Sequence, residues 1–131
     1  MDWTKPTTQM LGRFQPWHKG HTELFKRAIE KTGQVIILLR NQDGTENDPF
    51  NFDQRCQKII LELMKSGYYD GEHFSIIPVP NITHISYGRD VGYKIQREEF
   101  EQDIENISAT NIREKMNQKE FETNLGDEGL D

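Results

Sequence analysis

His18 and His21 stand three residues apart in GRFQPWHKGHTELFKRA, residues 12–28, between a turn holding Gly12 and Pro16 and a strongly helical run. A helix start carries unpaired backbone amides and the positive end of the macrodipole, so it already favours an anion. Two imidazoles there add directional donors to phosphate oxygens. Gly12 lets the backbone approach a guest, and Pro16 stiffens the turn and removes a competing donor. The arrangement reads as a phosphate site. Zinc fits less well, because the pair supplies two ligands only and helical zinc pairs are spaced by four. Taken alone, the same pattern is also that of a capping histidine with an incidental neighbour.

The elements that must position these side chains follow from periodicity. TTQMLGRF, residues 7–14, has the β-branched and apolar character of a first strand. From Gly20, Leu24, Phe25, Ala28 and Ile29 recur at helical spacing, and the helix is expected to stop at Gly33. QVIILLR, residues 34–40, reads as a fully buried strand of a parallel sheet, which completes a βαβ unit. The Asn-, Asp- and Gly-rich stretch 41–51 is expected to be an exposed loop, with Asp43, Glu46 and Asp48 solvated. Asn51 can cap a helix from Phe52 to about Ser66, with Ile59, Ile60, Leu63 and Met64 as its apolar stripe. HFSIIPVP, residues 73–80, gives a third strand, and residues 81–94 follow no clear period. ENISAT, residues 105–110, is expected as a short last strand, and residues 111–121 as a helix capped by Thr110 or Ser108.

Strands alternating with helices point to an α/β fold: a single-domain, Rossmann-like open parallel sheet with helices on both faces. One domain is expected over residues 1–131, with a flexible lead at 1–6 and a flexible acidic tail from about 123. Ligands of such sheets bind beyond the carboxyl ends of the strands. The turn after the first strand lies there, and so does Arg40, a candidate phosphate contact. Lys19 and Arg13 could assist. Trp17 either lines a pocket or packs against the adjacent helix. Tyr87, Arg89, Tyr93 and Lys94 combine stacking rings with cations suited to an acceptor phosphate.

Composition excludes several partners. The 131 residues carry a formal net charge of −6, which argues against a sequence-independent grip on long nucleic acid. Cys56 is the only cysteine, so neither an internal disulfide nor a thiolate zinc cluster is available. The longest aliphatic run, Val35–Leu39, is far short of the roughly 20 residues that span a bilayer, and the amino terminus lacks a signal-peptide profile. A cytoplasmic protein without membrane association is expected.

GRFQPWHKGH resembles the HxGH signature of the nucleotidylyltransferase superfamily, most closely the form found in archaeal-type nicotinamide-mononucleotide adenylyltransferases. ISATNIR, residues 107–113, resembles the superfamily's second signature, ISxTxxR. The match is local, at about residues 8–40 and 105–116. It implies that His18 and His21 contact the nucleotide phosphates, with His21 supporting the transition state at the α-phosphate. Gly12, Arg13, Phe14 and Gly20 would form the nucleotide-facing turn, and Ser108, Thr110 and Arg113 would hold the β- and γ-phosphates. A helix opening at Thr110 with Arg113 one turn in is, on physical grounds too, an anion cradle with a permanently charged clamp.

The resemblance implies attack of an acceptor phosphate on the α-phosphate of a nucleoside triphosphate, with release of pyrophosphate. The nucleophile is already an anion, so no general base is required. Mg2+ is expected to be held mainly by the substrate phosphates, with no protein-held metal site. The GRFQP form favours ATP, with nicotinamide mononucleotide as acceptor. The short chain keeps open a CTP-dependent transfer to a small phosphorylated alcohol, and a third reading is a non-catalytic nucleotide-binding module. Association between copies of the chain is left open.

Overall fold

The β-branched and aliphatic runs of this chain meet as a three-stranded parallel sheet in the computed structural model, which describes residues 1–41, 50–89 and 92–98. Strand β1 spans Thr8–Gly12, helix α1 Lys19–Thr32, strand β2 Val35–Arg40, helix α2 Phe52–Lys65 and strand β3 Phe74–Val79. The expected elements at 105–121, the acidic tail and most of the 41–51 loop lie outside the described residues. Residues 81–89 and 92–98 contain neither helix nor strand.

Both helices are bounded by local capping contacts. Gly33 closes α1 in the left-handed region at φ 85°, and its N–H reaches the Ile29 carbonyl at 2.7 Å. Only glycine adopts this conformation without a Cβ penalty. Asn51 opens α2 with a reciprocal box. Its side-chain oxygen accepts from the Gln54 N–H at 2.8 Å, and the Gln54 side chain accepts from the Asn51 N–H at 2.9 Å.

The strands run in the order β1-β2-β3, with Thr8 opposite Val35 and Val35 opposite Phe74. Two successive crossovers in one direction, each right-handed, set α1 and α2 on the same face of the sheet. The core lies there: Phe25, Val35, Ile37, Leu39, Ile59, Leu63 and Phe74 are completely buried. Along β2 burial alternates, with Ile36 and Leu38 half-exposed on the far face. The fully buried strand expected from VIILL is thus buried on one side among the described residues. Pro78 falls in β3, at the edge of this sheet, where its missing N–H costs no ladder bond.

At the amino ends of the strands, Gln34 ties down the start of the chain. Its amide donates to the Asp2 carbonyl at 2.7 Å and to Thr7 Oγ1 at 2.7 Å, and accepts from the Asp2 N–H at 3.0 Å.

The apolar stripe of α2 differs from expectation at one position. Ile59 and Leu63 are buried and Ile60 packs on the core, but Met64 is 45% exposed. Its angular position takes it past the edge of the helix–sheet contact. Leu63→Ala is expected to cost about 2–5 kcal/mol of unfolding free energy, and Met64→Ala no more than about 0.5, in urea titrations. Equal losses would mean that this packing is misassigned.

Candidate functional site

β1 ends at Gly12, opposite Leu39 of β2, and the chain must then turn sharply to enter α1. Phe14 makes the turn with φ 51°, unusual for a residue other than glycine, and a cis peptide joins Gln15 to Pro16. The Phe14 ring is buried, so what this residue turns toward a ligand is backbone. His18 is the N-cap of α1, in extended conformation.

The two histidines cap the helix together. His18 Nδ1 accepts from the Gly20 N–H at 3.0 Å, and His21 Nδ1 accepts from the His18 N–H at 3.1 Å. This is the reciprocal logic of a capping box, with imidazole in place of hydroxyl and carboxylate. The rings stack with centroids 3.7 Å apart. A nitrogen that accepts carries no proton, so each ring carries its N–H at Nε2.

His21 is completely buried, and its Nε2 has no hydrogen-bond partner among the described residues. Burial, and secondarily the neighbouring His18, hold its pKa well below the ordinary imidazole range. The ring is therefore neutral at pH 7, with one unspent donor. Leaving such a donor buried costs about 1–3 kcal/mol. The first turn of α1 holds no acidic residue, so the helix itself brings no carboxylate to its positive end.

An aromatic wall holds the pair. The Phe14 ring meets His21 edge-on at 4.8 Å, and Trp17 lies 4.9 Å from Phe14 and 5.3 Å from His21. Trp17 is buried and its indole N–H donates to Thr22 Oγ1 at 2.8 Å. Of the two roles the sequence allowed it, packing against the helix accounts for these contacts. Gly20 likewise spends its amide within the turn, on His18. Lys19 lines a groove between α1 and α2 with Lys26, Lys58 and Lys65.

Arg40 closes β2, as expected, and its Nη2 reaches the Ile82 carbonyl at 3.4 Å. Tyr87, Arg89, Tyr93 and Lys94 are exposed in the irregular segment after β3. Ser108, Thr110 and Arg113 lie outside the described residues. Among the described residues, no three His, Cys, Asp or Glu side chains gather as a metal cage. His73 sits just before β3, at the opposite edge of the sheet. No described helix is long and apolar enough to cross a membrane.

One residue escaped the sequence reading. Arg55 of α2 is 1% exposed. It lies four residues before Ile59 and eight before Leu63, on the buried stripe, and that register was the available signal. A cation there has to be hydrogen-bonded.

The lowered His21 pKa has a measurable consequence. Below the ordinary value of 6.5 the unfolded chain binds a proton that the folded ring refuses, so the stability is complete above pH 6.5 and falls as pH drops toward the folded-state value. In that window the wild type is expected to lose up to about 1.4 kcal/mol per pH unit relative to His21→Asn, by urea titration at several pH values. Parallel pH profiles would refute the buried neutral ring.

Comparison with known proteins bears on this geometry. Residues 10–72 match the cytidylyltransferase-like family. The chain is 28% identical to a nicotinamide-nucleotide adenylyltransferase of Pyrococcus furiosus, over 81% of its own length and 70% of that protein. It is 36% identical to the corresponding protein of Caldivirga maquilingensis, over 55% of this chain and 41% of that one. Among solved structures, a bifunctional NMN adenylyltransferase/ADP ribose pyrophosphatase from Francisella tularensis superposes with a TM-score of 0.54 at 32% identity, covering 59% of this chain and 23% of that chain. The chain thus spans less than half of several relatives. The matched region contains the end of β1, both capping histidines, α1, β2 and α2, so residues 10–72 of this chain are similar to the cytidylyltransferase-like proteins.

Proposed function

We propose that the chain transfers the adenylyl group of ATP to a phosphate-bearing acceptor, nicotinamide mononucleotide by similarity to its relatives. The observation that carries the reading is the buried, neutral His21 whose Nε2–H has no partner among the described residues, at the start of α1. A phosphate oxygen satisfies that donor and meets the helix dipole at once.

In the reaction an acceptor phosphate oxygen attacks the α-phosphorus and forms a new P–O bond. The bond to the bridging oxygen of the β-phosphate breaks, and pyrophosphate leaves with that electron pair. No proton has to be removed from the nucleophile, which fits a turn that offers a donor at its buried His21. His18 and His21 contribute preorganised N–H groups to the crowded, anionic α-phosphate, and a donor fixed before the reaction costs nothing to reorganise during it. The Gly12–Phe14 turn supplies backbone to the nucleotide, and Arg13 and Arg40 are placed to neutralise phosphate charge. By resemblance, Ser108, Thr110 and Arg113 hold the β- and γ-phosphates. Tyr87, Arg89, Tyr93 and Lys94 remain candidates for the acceptor. Mg2+ bound to the triphosphate would withdraw charge from its oxygens. One of the Francisella tularensis structures contains AMP and a manganese ion. We place this activity in the cytoplasm and in a single domain.

The test is pyrophosphate release with ATP or CTP and magnesium against nicotinamide mononucleotide, phosphopantetheine and glycerol phosphate. ATP with nicotinamide mononucleotide is expected to turn over, and His21→Ala to lower kcat by about 10²–10³, the range for loss of one preorganised donor. Turnover with CTP alone would replace the adenylyl reading by a cytidylyl one. Tight ATP binding without turnover would make the protein a nucleotide-binding module.

A further inference from the structure

Beneath the candidate phosphate turn lies a buried polar node that joins three parts of the fold. Gln15 is completely buried, and its side-chain amide grips the backbone of Phe50 twice: Nε2 donates to the Phe50 carbonyl and Oε1 accepts from the Phe50 N–H, each at 3.2 Å. Arg55 donates through Nε to the same Phe50 carbonyl at 3.1 Å and to that of Asn51 at 3.4 Å. Its Nη1 donates to the carbonyl of Arg13 at 3.0 Å and to that of Arg40. One planar guanidinium therefore touches the residue after β1, the last residue of β2 and the two residues that lead into α2. Lysine could not reproduce this, because its single ammonium has no fixed fork.

Arg13 and Arg40 are the two cations placed above at the carboxyl ends of the strands, and Arg55 holds both by their own carbonyls. Fixing a residue's carbonyl fixes the plane from which its side chain departs, so the node sets where those guanidiniums begin their reach. Gln15 occupies the position between Phe14, whose ring supports His21, and the cis bond to Pro16. Clamping it to Phe50 ties the histidine turn to the start of α2.

We propose that Arg55 and Gln15 are positioning residues of the phosphate site, acting through the backbone of Arg13, Arg40 and Phe50 rather than by touching the substrate. The inference rests on the functional reading above for its kinetic part only. A residue that merely stabilised the fold would lower stability everywhere alike. A positioning pair loosens the turn while the sheet stays closed.

The experiment compares wild type with Arg55→Lys and Gln15→Met by amide hydrogen exchange and by pyrophosphate release. In both variants the His18 and Gly20 amides are expected to exchange faster by about tenfold, the loss of roughly one hydrogen bond's worth of local protection, while those of Ile37 and Leu38 in β2 keep their wild-type rates. Turnover is expected to fall about 10- to 100-fold in kcat with the KM for the triphosphate little changed, as for a misplaced reacting geometry. Exchange that rises equally in β2 and in the turn, or a turn that stays protected, would overturn the proposal. If the wild type releases no pyrophosphate, the adenylyl reading fails and the exchange pattern alone decides this one. Gln15→Met supplies the answer should Arg55→Lys not fold.

Discussion

The Nδ1 atoms of His18 and His21 are spent on the backbone of the helix they begin, and the character of the site follows from that choice. A helix start must satisfy its leading N–H groups, ordinarily with a hydroxyl or carboxylate. Here two imidazoles do it, at 3.0 and 3.1 Å. Capping is worth about 1 kcal/mol, and a buried donor left without a partner costs about 1–3 kcal/mol. Two such caps and one such donor are of similar size, so among the described residues the capping offsets about what the buried His21 Nε2 costs. In the proposed activity a phosphate oxygen would satisfy that donor.

Everything around the pair defends that arrangement. Stacked rings at 3.7 Å could not both be charged without repulsion, and burial adds to the preference for the neutral form at His21. The wall of Phe14 and Trp17 excludes water from the side that would otherwise solvate it. The left-handed Phe14 lets one short turn deliver both an aromatic support and a helix cap within seven residues of the end of β1. The parallel sheet then brings the end of β2 alongside, so Arg40 stands at the same edge as the turn without any long loop to hold it.

What the sequence made legible is what repeats. The helical spacing of Phe25 and Ala28, the aliphatic run of β2 and the cap at Asn51 fix elements by local rules, and the described strands and helices lie within a residue or two of those readings at most ends. β1 stops earlier, at Gly12 rather than Phe14, because the turn needs Phe14 in a left-handed conformation that no strand permits. The histidine pair was legible as the start of a helix, and of its two readings the structure shows capping, by both rings. Arg55 was not legible, because a charged residue on an apolar stripe is read as an interruption until the carbonyls it serves are seen, and those belong to Arg13 and Arg40, 42 and 15 positions away.

The charge pattern carries the same argument to longer range. A chain with 22 acidic residues and a net charge of −6 repels a nucleoside triphosphate on average. The first turn of α2 carries Asp53, the ordinary way to complement a helix dipole, but the first turn of α1 carries no acid. That first turn is capped by imidazole Nδ1 acceptors in place of carboxylates. In the proposed activity, arginines at the strand ends would supply charge that salt can screen, and the imidazoles directed hydrogen bonds that it screens far less. Discrimination between a phosphate held in reacting geometry and any other anion would then fall to the donors, which the proposed polar node beneath them positions.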